Sequence, residues 1–477
     1  MSRARVLLLN AALGPLDYRV PHGMNVKPGS IVVAPLGPRQ LVGVVWEEDS
    51  FPDVESVGDN RLRNLIELVD APPLPETLRR LIEWTADYYL SPPAAVLRMA
   101  LASMAALEGT RTVIEYKANG RQPDRMTDQR AQALERIGER QGLVRELALI
   151  GGVSDAVIRG LIKQDIFDAI EVSVDTPFPA PDPDHAPPTL SAAQADAAMT
   201  MANAVRDHEF APFLLDGVTG SGKTEVYFEA IAAAIRADAQ VLVLLPEIAL
   251  TEPFLERFEA RFGTIPVNWH SGLRQTERRR AWRAIASGQA QVVVGARSAL
   301  FLPFRNLKLI IVDEEHDTSF KQEDGVTYHA RDMGVMRAKL EDAAIILASA
   351  TPALETVVNA EQGRYQRLKL SARPGAAKLP DIELVDLRTD PPEKGHWLSS
   401  RLTHALTETF EVGEQSLLFL NRRGYAPLVI CKACGERLKS PATESWLTEH
   451  RYTNRLVCHL TGWSMPKPAA GRCNLHS

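Results

Sequence analysis

Gly217-Val218-Thr219-Gly220-Ser221-Gly222-Lys223-Thr224 is the stretch whose reading decides the fold. Glycines at this spacing let a short loop fold tightly enough to aim its backbone N–H groups at phosphate oxygens. Lys223 can then reach the β and γ phosphates, and the Thr224 hydroxyl can sit on Mg²⁺. The surroundings suit a strand–loop–helix unit: Phe213-Leu214-Leu215 reads as a strand, and Glu225 to Ala237 is an alanine-rich helical stretch. Taken by itself the loop could be a glycine-rich helix start that binds nothing. A second motif argues against that. Leu309 to Val312 is an apolar run ending in Asp313-Glu314-Glu315-His316, the pattern of a doubly buried parallel strand delivering carboxylates at its carboxyl end. Asp313 then reads as a partner of the Mg²⁺ shell and Glu314 as the base that orients an attacking water. The bland alternative is an exposed charged turn after a core strand.

Composition sets the outer limits. With 477 residues, 45% hydrophobic and 24% charged, the chain has material for three or four cores, and the cytoplasm is the default expectation. No apolar run reaches the ~18 residues of a membrane span. A net charge of −6 argues against coating nucleic acid by bulk positive charge, while leaving room for local basic grooves. All 4 cysteines (Cys431, Cys434, Cys458 and Cys473) fall in the last fifth. Cys431-Lys432-Ala433-Cys434 has half-site spacing for zinc rather than a place in a disulfide framework.

Working outward, the expected fold class is α/β, a P-loop RecA-like lobe flanked by smaller units. Residues 1–110 alternate apolar runs with Gly-Pro and Pro-Gly turns and read as a small β-rich domain, followed by a helix over Leu74 to Tyr89. Residues 111–176 hold short amphipathic helices, either a winged-helix-like DNA-binding module or a plain helical linker domain. Residues 177–188 contain six prolines and read as an extended linker. The lobe itself is placed at 189–385, with strands at Val241 to Leu245, Gln291 to Val294, Leu307 to Val312 and Ile345 to Leu347. Residues 386–477 read as the start of a second α/β lobe, with a strand at Leu417 to Leu420 and a cysteine-containing insertion.

The order of further motifs carries a resemblance. Pro246-Glu247-Ile248-Ala249-Leu250-Thr251, the Gly295-to-Phe301 run, Asp-Glu-Glu-His, Tyr328-His329-Ala330-Arg331-Asp332, Ser349-Ala350-Thr351-Pro352 and Phe419-Leu420-Asn421-Arg422-Arg423-Gly424-Tyr425-Ala426-Pro427 resemble the PriA family of superfamily 2 helicases, primosomal protein N′. The likeness extends to Asp87-Tyr88-Tyr89-Leu90 and covers essentially the whole chain. It implies an ATP-dependent 3′-to-5′ DNA helicase of replication restart, which recognises stalled or abandoned forks and initiates primosome assembly. It also implies ATP and Mg²⁺ as cofactors. Implied partners are forked and single-stranded DNA, single-stranded-DNA-binding protein, other primosome proteins and the replicative helicase loading system. By position, Gln194 would read the adenine edge, Arg297 and Ser298 would contact DNA phosphates, and Phe320 and Tyr328 would stack on single-stranded DNA. Asp17, in Gly14-Pro15-Leu16-Asp17-Tyr18, would accept a hydrogen bond from the 3′-hydroxyl of a nascent strand. Each has a plainer reading: a helix-start glutamine, a surface salt bridge, core rings, a turn aspartate.

The sequence also departs from the family. Eight cysteines in two zinc sites are the family pattern, but Ser440, Thr443 and Thr461 stand where three of them belong. At most one Zn²⁺ is expected, on Cys431, Cys434 and Cys473, with His476 a possible fourth ligand. The later motifs of a second lobe, including an arginine finger, do not occur before Ser477, so an incomplete second lobe is expected. A non-catalytic fork-binding or assembly module is the alternative function.

Overall fold

The computed structural model describes residues 3–51, 58–101, 112–173, 176–246, 252–370, 381–392, 396, 398–419, 429, 438–441, 447–450, 455–458 and 463–466. They form two compact units, Met1–Ala377 and Lys378–Ser477.

The first unit begins with strands that alternate apolar and polar residues, as a half-buried antiparallel sheet requires. β1 (Arg3–Leu8), β2 (Leu16–Arg19), β3 (Ile31–Leu36), β4 (Arg39–Trp46) and β5 (Glu67–Leu68) form a sheet in the order β2-β1-β4-β3-β5. Alternation splits its side chains between two clusters. Val6, Leu8, Val32 and Val45 fill a local core, whereas Leu7, Ile31, Val44 and Trp46 face helices. The first of these is α1 (Glu76–Tyr88), which buries Leu78, Leu81, Ile82, Thr85 and Ala86 at helical spacing. α2 (Pro93–Ala100) starts with Pro93 in its first turn, where a missing N–H costs nothing.

Sequence periodicity gave helices for the next stretch, and the structure adds strands. β6 (Thr112–Ala118), β7 (Gln141–Gly142) and β8 (Phe167–Ser173) make an antiparallel sheet beside α3 (Asp128–Ile137), α4 (Val144–Gly151) and α5 (Asp155–Ile162). The proline stretch is not a free tether. Its Pro183 carbonyl accepts from Arg261 at 2.9 Å and from Arg236 at 3.2 Å, and Arg280 lies 4.0 Å over the Phe178 ring. Proline removes the donors and leaves carbonyls exposed, and arginines of the following domain satisfy them.

That domain is a seven-stranded parallel sheet. Chain order runs α6 (Ala192–Asp207), β9 (Ala211–Gly217), α7 (Lys223–Arg236), β10 (Gln240–Leu244), α8 (Glu252–Phe262), β11 (Val267–Trp269), α9 (Gln275–Ser287), β12 (Val292–Gly295), β13 (Leu307–Asp313), α10 (Ala330–Leu340), β14 (Ala344–Ser349), α11 (Leu354–Glu361) and β15 (Gln366–Leu370). The sheet order is β11-β12-β10-β13-β14-β9-β15. The four strands expected from sequence are all present. β11, with three residues, and β15, whose side chains are mostly exposed, lacked the apolar run that marks a buried strand. Period-two alternation again sorts the side chains: Leu242, Leu244, Ile310 and Val312 face one way, and Val241, Val243, Leu309 and Ile311 face α7 and α8.

The first of these two faces is continuous with the N-terminal sheet. Leu7, Val44, Leu81, Leu97, Trp282, Ile285 and Ile310 belong to a single buried cluster. α9 closes the seam. Trp282 is fully buried and donates from Nε1 to the Ala100 carbonyl at 3.0 Å, and Arg283 donates to the Asp70 carbonyl at 2.8 Å.

In the second unit, α12 (Ser400–Glu411) is capped by Ser399, and β16 (Thr448–His450), β17 (Arg455–Val457) and β18 (Ser464–Pro466) form a small antiparallel sheet. The expected strand at Leu417 to Leu420 is corrected. Leu417, Leu418 and Phe419 carry no strand pairing and are exposed, because an apolar run becomes a strand only where neighbours accept its ladder bonds. Among the described residues no helix is long and apolar enough to cross a membrane.

The seam yields a stability prediction. Trp282→Ala removes a buried indole shared by α2 and α9 and is expected to cost about 3–5 kcal/mol. Chemical denaturation followed by circular dichroism measures it, and a loss below about 1 kcal/mol would show that the two sheets do not share a working core.

Candidate nucleotide site and the segments around it

Register explains why the motifs meet. β14 lies between β13 and β9, and Asp313, Ala348 and Leu215 stand at one level across the three strands. The carboxyl ends of these strands therefore present the acidic turn, Ser349 and the P-loop side by side, where ligands of open parallel sheets bind.

The loop has the backbone of a phosphate cradle. Gly220 and Gly222 take φ of +77° and +80°, which side chains beyond glycine rarely adopt, and α7 starts at Lys223 with its N–H groups facing the loop. A Cβ on Gly222 would meet Gln194 Nε2 at 2.4 Å and displace that amide from the loop, so φ is what requires glycine here and Gln194 packs into the space it leaves. Ser221 Oγ is buried and has no hydrogen-bond partner. Lys223 Nζ folds back on the Gly217 carbonyl at 2.9 Å, a bond that a phosphate oxygen can replace with a charge-assisted one. These residues fit a nucleotide's phosphates, with Thr219, Gly220, Ser221 and Gly222 supplying the loop.

Gln194 is brought to the loop, but with both ends of its amide engaged. Oε1 accepts from Ser191 N at 2.8 Å as part of a capping box on α6, and Nε2 donates to the Ser221 carbonyl at 2.9 Å. In this structure Gln194 braces the loop.

Asp313 lies on the α7 face of the sheet and accepts from the Tyr227 hydroxyl at 2.9 Å. Burial pushes its carboxyl above the usual range, opposed by that hydrogen bond. Tyr227 stands one helical turn after Thr224 on α7, so one phenol bonds Asp313 from the helix that carries Thr224, the other side chain expected to hold Mg²⁺. A carboxylate and a threonine hydroxyl are the hard oxygen donors that ion takes. Sequence reasoning missed Tyr227, although an aromatic residue three positions after Thr224 in an alanine-rich helix was a usable signal. Glu314 follows with φ of +49° and a half-exposed side chain. A left-handed non-glycine residue costs about 1–2 kcal/mol and persists where its neighbours over-determine it. His316 Nδ1 lies 2.8 Å from Ser349 Oγ, which also accepts from Thr351 N at 3.0 Å, tying the acidic turn to the Ser-Ala-Thr segment.

The DNA-facing expectations fare unevenly. Ser298 is exposed at the start of a short helical turn, Arg297–Phe301. Arg297 is half-buried, and its guanidinium donates to the Ser319 and Lys321 carbonyls at 2.9 and 3.1 Å. Phe320 and Tyr328 are each 1% exposed, and Tyr328 packs edge-on against Phe301 and donates to the Arg297 carbonyl at 3.2 Å. In this structure both rings are core, the plainer of the two readings given for them. Asp17 lies in β2 and not in a turn. Oδ1 accepts from Arg5 at 3.1 Å, while Oδ2 makes no hydrogen bond and lies 3.5 Å from Arg3 NH1.

Cys431, Cys434 and Cys473, like residues 247–251 and 420–428, lie outside the described residues. Cys458 is buried with Leu438, Leu447 and Leu456, an apolar setting. Among the described residues no group of three or more His, Cys, Asp or Glu side chains could hold a metal. A cavity of about 500 Å³ is lined by His316, His329, Arg331, Asp332, Glu355 and Tyr365 and by none of the P-loop residues.

Comparison with known proteins agrees with this layout. The DEAD/DEAH box helicase family matches residues 192–360, from α6 through α11, and the 3′DNA-binding domain family (PriA_3primeBD) matches residues 5–102, the N-terminal sheet with α1 and α2. Replication restart protein PriA of Rickettsia felis is 35% identical over 97% of this chain and 60% of its own length. The Bacillus subtilis protein of the same name is 31% identical over 95% of this chain and 66% of its own length. A solved structure of RecG bound to a three-way DNA junction covers 40% of this chain and 25% of that one, at 23% identity and a TM-score of 0.32. The chain spans about three fifths of the length of the curated relatives. With both matched families falling on the elements described above, and relatives of one name aligned from end to end of it, this chain belongs to the PriA family of replication restart proteins.

Proposed function

We propose that this chain is an ATP-dependent 3′-to-5′ DNA helicase of replication restart that recognises stalled or abandoned forks and initiates primosome assembly. The carrying observation is the row of strand ends β13-β14-β9, where the P-loop, Ser349 and the Asp313–Glu314 pair adjoin. ATP supplies the transferable phosphoryl group, and Mg²⁺ supplies charge neutralisation between its phosphates. Thr224 and Asp313 are the residues suited to that ion. Lys223 exchanges the Gly217 carbonyl for phosphate, and Glu314 takes the proton of the attacking water. Family membership and the 3′DNA-binding domain support the DNA reading, as does the exposed Ser298 beside Arg297. The three helices and three strands of residues 112–173 are compatible with a winged-helix module that contacts duplex arms. Single-stranded-DNA-binding protein, other primosome proteins and the helicase-loading system are the proposed protein partners, and the cytoplasm is the proposed location.

Lys223→Ala is expected to abolish DNA-stimulated ATP hydrolysis and unwinding of forks while leaving fork affinity within about twofold, because phosphate and DNA contacts lie on different elements. Hydrolysis at the parent rate would overturn the assignment. For Asp17, the Oδ2 acceptor is the proposed reader of a terminal 3′-hydroxyl. Asp17→Ala is expected to equalise affinities for forks ending in 3′-hydroxyl and 3′-phosphate. The mutant also removes the carboxylate that Arg5 bonds and leaves that arginine its Glu48 and Phe51 carbonyls, but any instability lowers both affinities alike and their ratio still reports on the contact. An unchanged ratio assigns Asp17 to the fold alone. For zinc, elemental analysis of the purified protein should find at most one ion per chain, since Cys458 sits among leucines and Ser440, Thr443 and Thr461 supply no thiolate. Two ions would contradict this.

A further inference from the structure

Glu315 is fully buried, yet the proposed chemistry does not use it. Its backbone N donates to the Ala348 carbonyl at 3.1 Å. Oε1 accepts from Ala353 N at 2.7 Å, the residue that starts α11. Oε2 accepts from Thr356 Oγ1 at 2.9 Å and from Arg331 at 3.3 Å. One residue, just past the end of β13, thus joins β14 through its N–H and α10 and α11 through its carboxylate. A buried charge with this many partners holds position strongly, because losing any of them leaves a desolvated group uncompensated.

Arg331 extends the connection. It stands in the first turn of α10, 8% exposed, with its Nε on Asp332 at 2.9 Å. α1 of the N-terminal domain lies along α10, antiparallel to it. Thr85 Oγ1 lies 3.6 Å from Met333 Sδ, and at the end of α1 the Tyr89 hydroxyl accepts from His329 N at 3.3 Å. The pairs 85–333 and 89–329 run in opposite senses along the two helices, so α1 and α10 pack directly against each other.

We propose that Glu315 and Arg331 are positioning residues for Glu314, and that through α10 they make the placement of that base depend on how the N-terminal domain is seated. The inference rests on the ATPase reading given above. Glu314 holds a left-handed backbone that it would leave if free, and Glu315, the next residue, is the one whose side chain and N–H are both pinned. Nothing in this network touches the P-loop, so binding of ATP and its hydrolysis respond separately to its loss.

The test uses the full chain with forked DNA. Glu315→Gln keeps the shape but loses the charge and one acceptor oxygen, so its amide cannot accept from Ala353 N on one side and from Thr356 and Arg331 on the other; Arg331→Met keeps length and loses the charge; Tyr89→Phe removes only the acceptor for His329 N. Either of the first two is expected to lower kcat roughly 10²-fold. ATP affinity, read with a fluorescent non-hydrolysable analogue, should stay within about twofold of the parent. Tyr89→Phe should lower kcat less, and Arg331→Lys should recover part of the loss of Arg331→Met. The double variant Glu315→Gln/Arg331→Met should lose no more than either single one, as members of one coupled unit do. Parent-like kcat in the single variants overturns the inference, as do additive losses or a parallel fall in ATP affinity and melting temperature. Lys223→Ala separates the two readings: if it is inactive while Glu315→Gln turns over like the parent, only this inference falls, whereas hydrolysis unaffected by Lys223→Ala removes the ATPase reading and the inference with it.

Discussion

The parallel pairing of β13, β14 and β9 is the constraint on which the rest depends. Parallel strands joined by crossovers all end on the same edge of the sheet, so side chains far apart in sequence arrive there at one level. Alternation then decides which face each takes. Leu309 and Ile311 face α7, and Asp313, two residues further on, does the same and meets Tyr227. A slip of one residue in β13 would turn Asp313 to the opposite face and leave Tyr227 without its acceptor. The chemistry of the site is therefore fixed by a register that buried valines, leucines and isoleucines maintain.

A second consequence follows from the other face of the same sheet. Ile310 and Val312 pack in the cluster that also holds Trp282, α1, α2 and the N-terminal strands. The N-terminal sheet has one apolar face of its own, through Val6 and Val45, and gives the other to α1. α1 in turn lies between that sheet and α10. A 3′DNA-binding domain attached by a flexible linker would move independently of the lobe, as domains with small interfaces do. Here the proline segment between them is held to α8 and α9 by arginines, and the two parts share a core.

How much of this was legible depended on the kind of signal. Strongly periodic or unbroken apolar segments, such as Leu309 to Val312, announced themselves, and so did the glycine pattern of the P-loop, because both reflect local backbone requirements. Tyr227, Glu315 and Arg331 did not. Their roles arise from contacts spanning 86, 38 and 16 residues of sequence, and nothing local distinguishes a glutamate that caps a distant helix from one in solvent. Phe320 and Tyr328 show the complementary ambiguity: an aromatic ring reads alike in sequence whether it stacks on a base or fills a core, and here both fill a core. At Leu417 to Phe419 the apolar run was read as a strand, but strand formation is a property of a pair, and no described segment pairs with it.

Arginine shows the same ambiguity with a consequence for DNA binding. Arg297 reads in sequence as a phosphate contact, and Arg278, Arg280 and Arg283 add three more guanidinium groups along α9. In the fold Arg278, Arg280, Arg283 and Arg297 donate to the carbonyls of Ser271, Pro177, Asp70 and Ser319, respectively. A guanidinium already bonded to carbonyls gains from a phosphate only the difference between a neutral and a charged acceptor, and the carbonyls it leaves must find new donors. Arg297 holds the segment 319–321 through two such bonds, and that segment follows directly on Asp317, whose N–H bonds the Glu314 carbonyl. Any anion that captured Arg297 would therefore free backbone within a few residues of the proposed base. The weight of a phosphate contact at Arg297 lies less in affinity than in which of two partners holds this arginine.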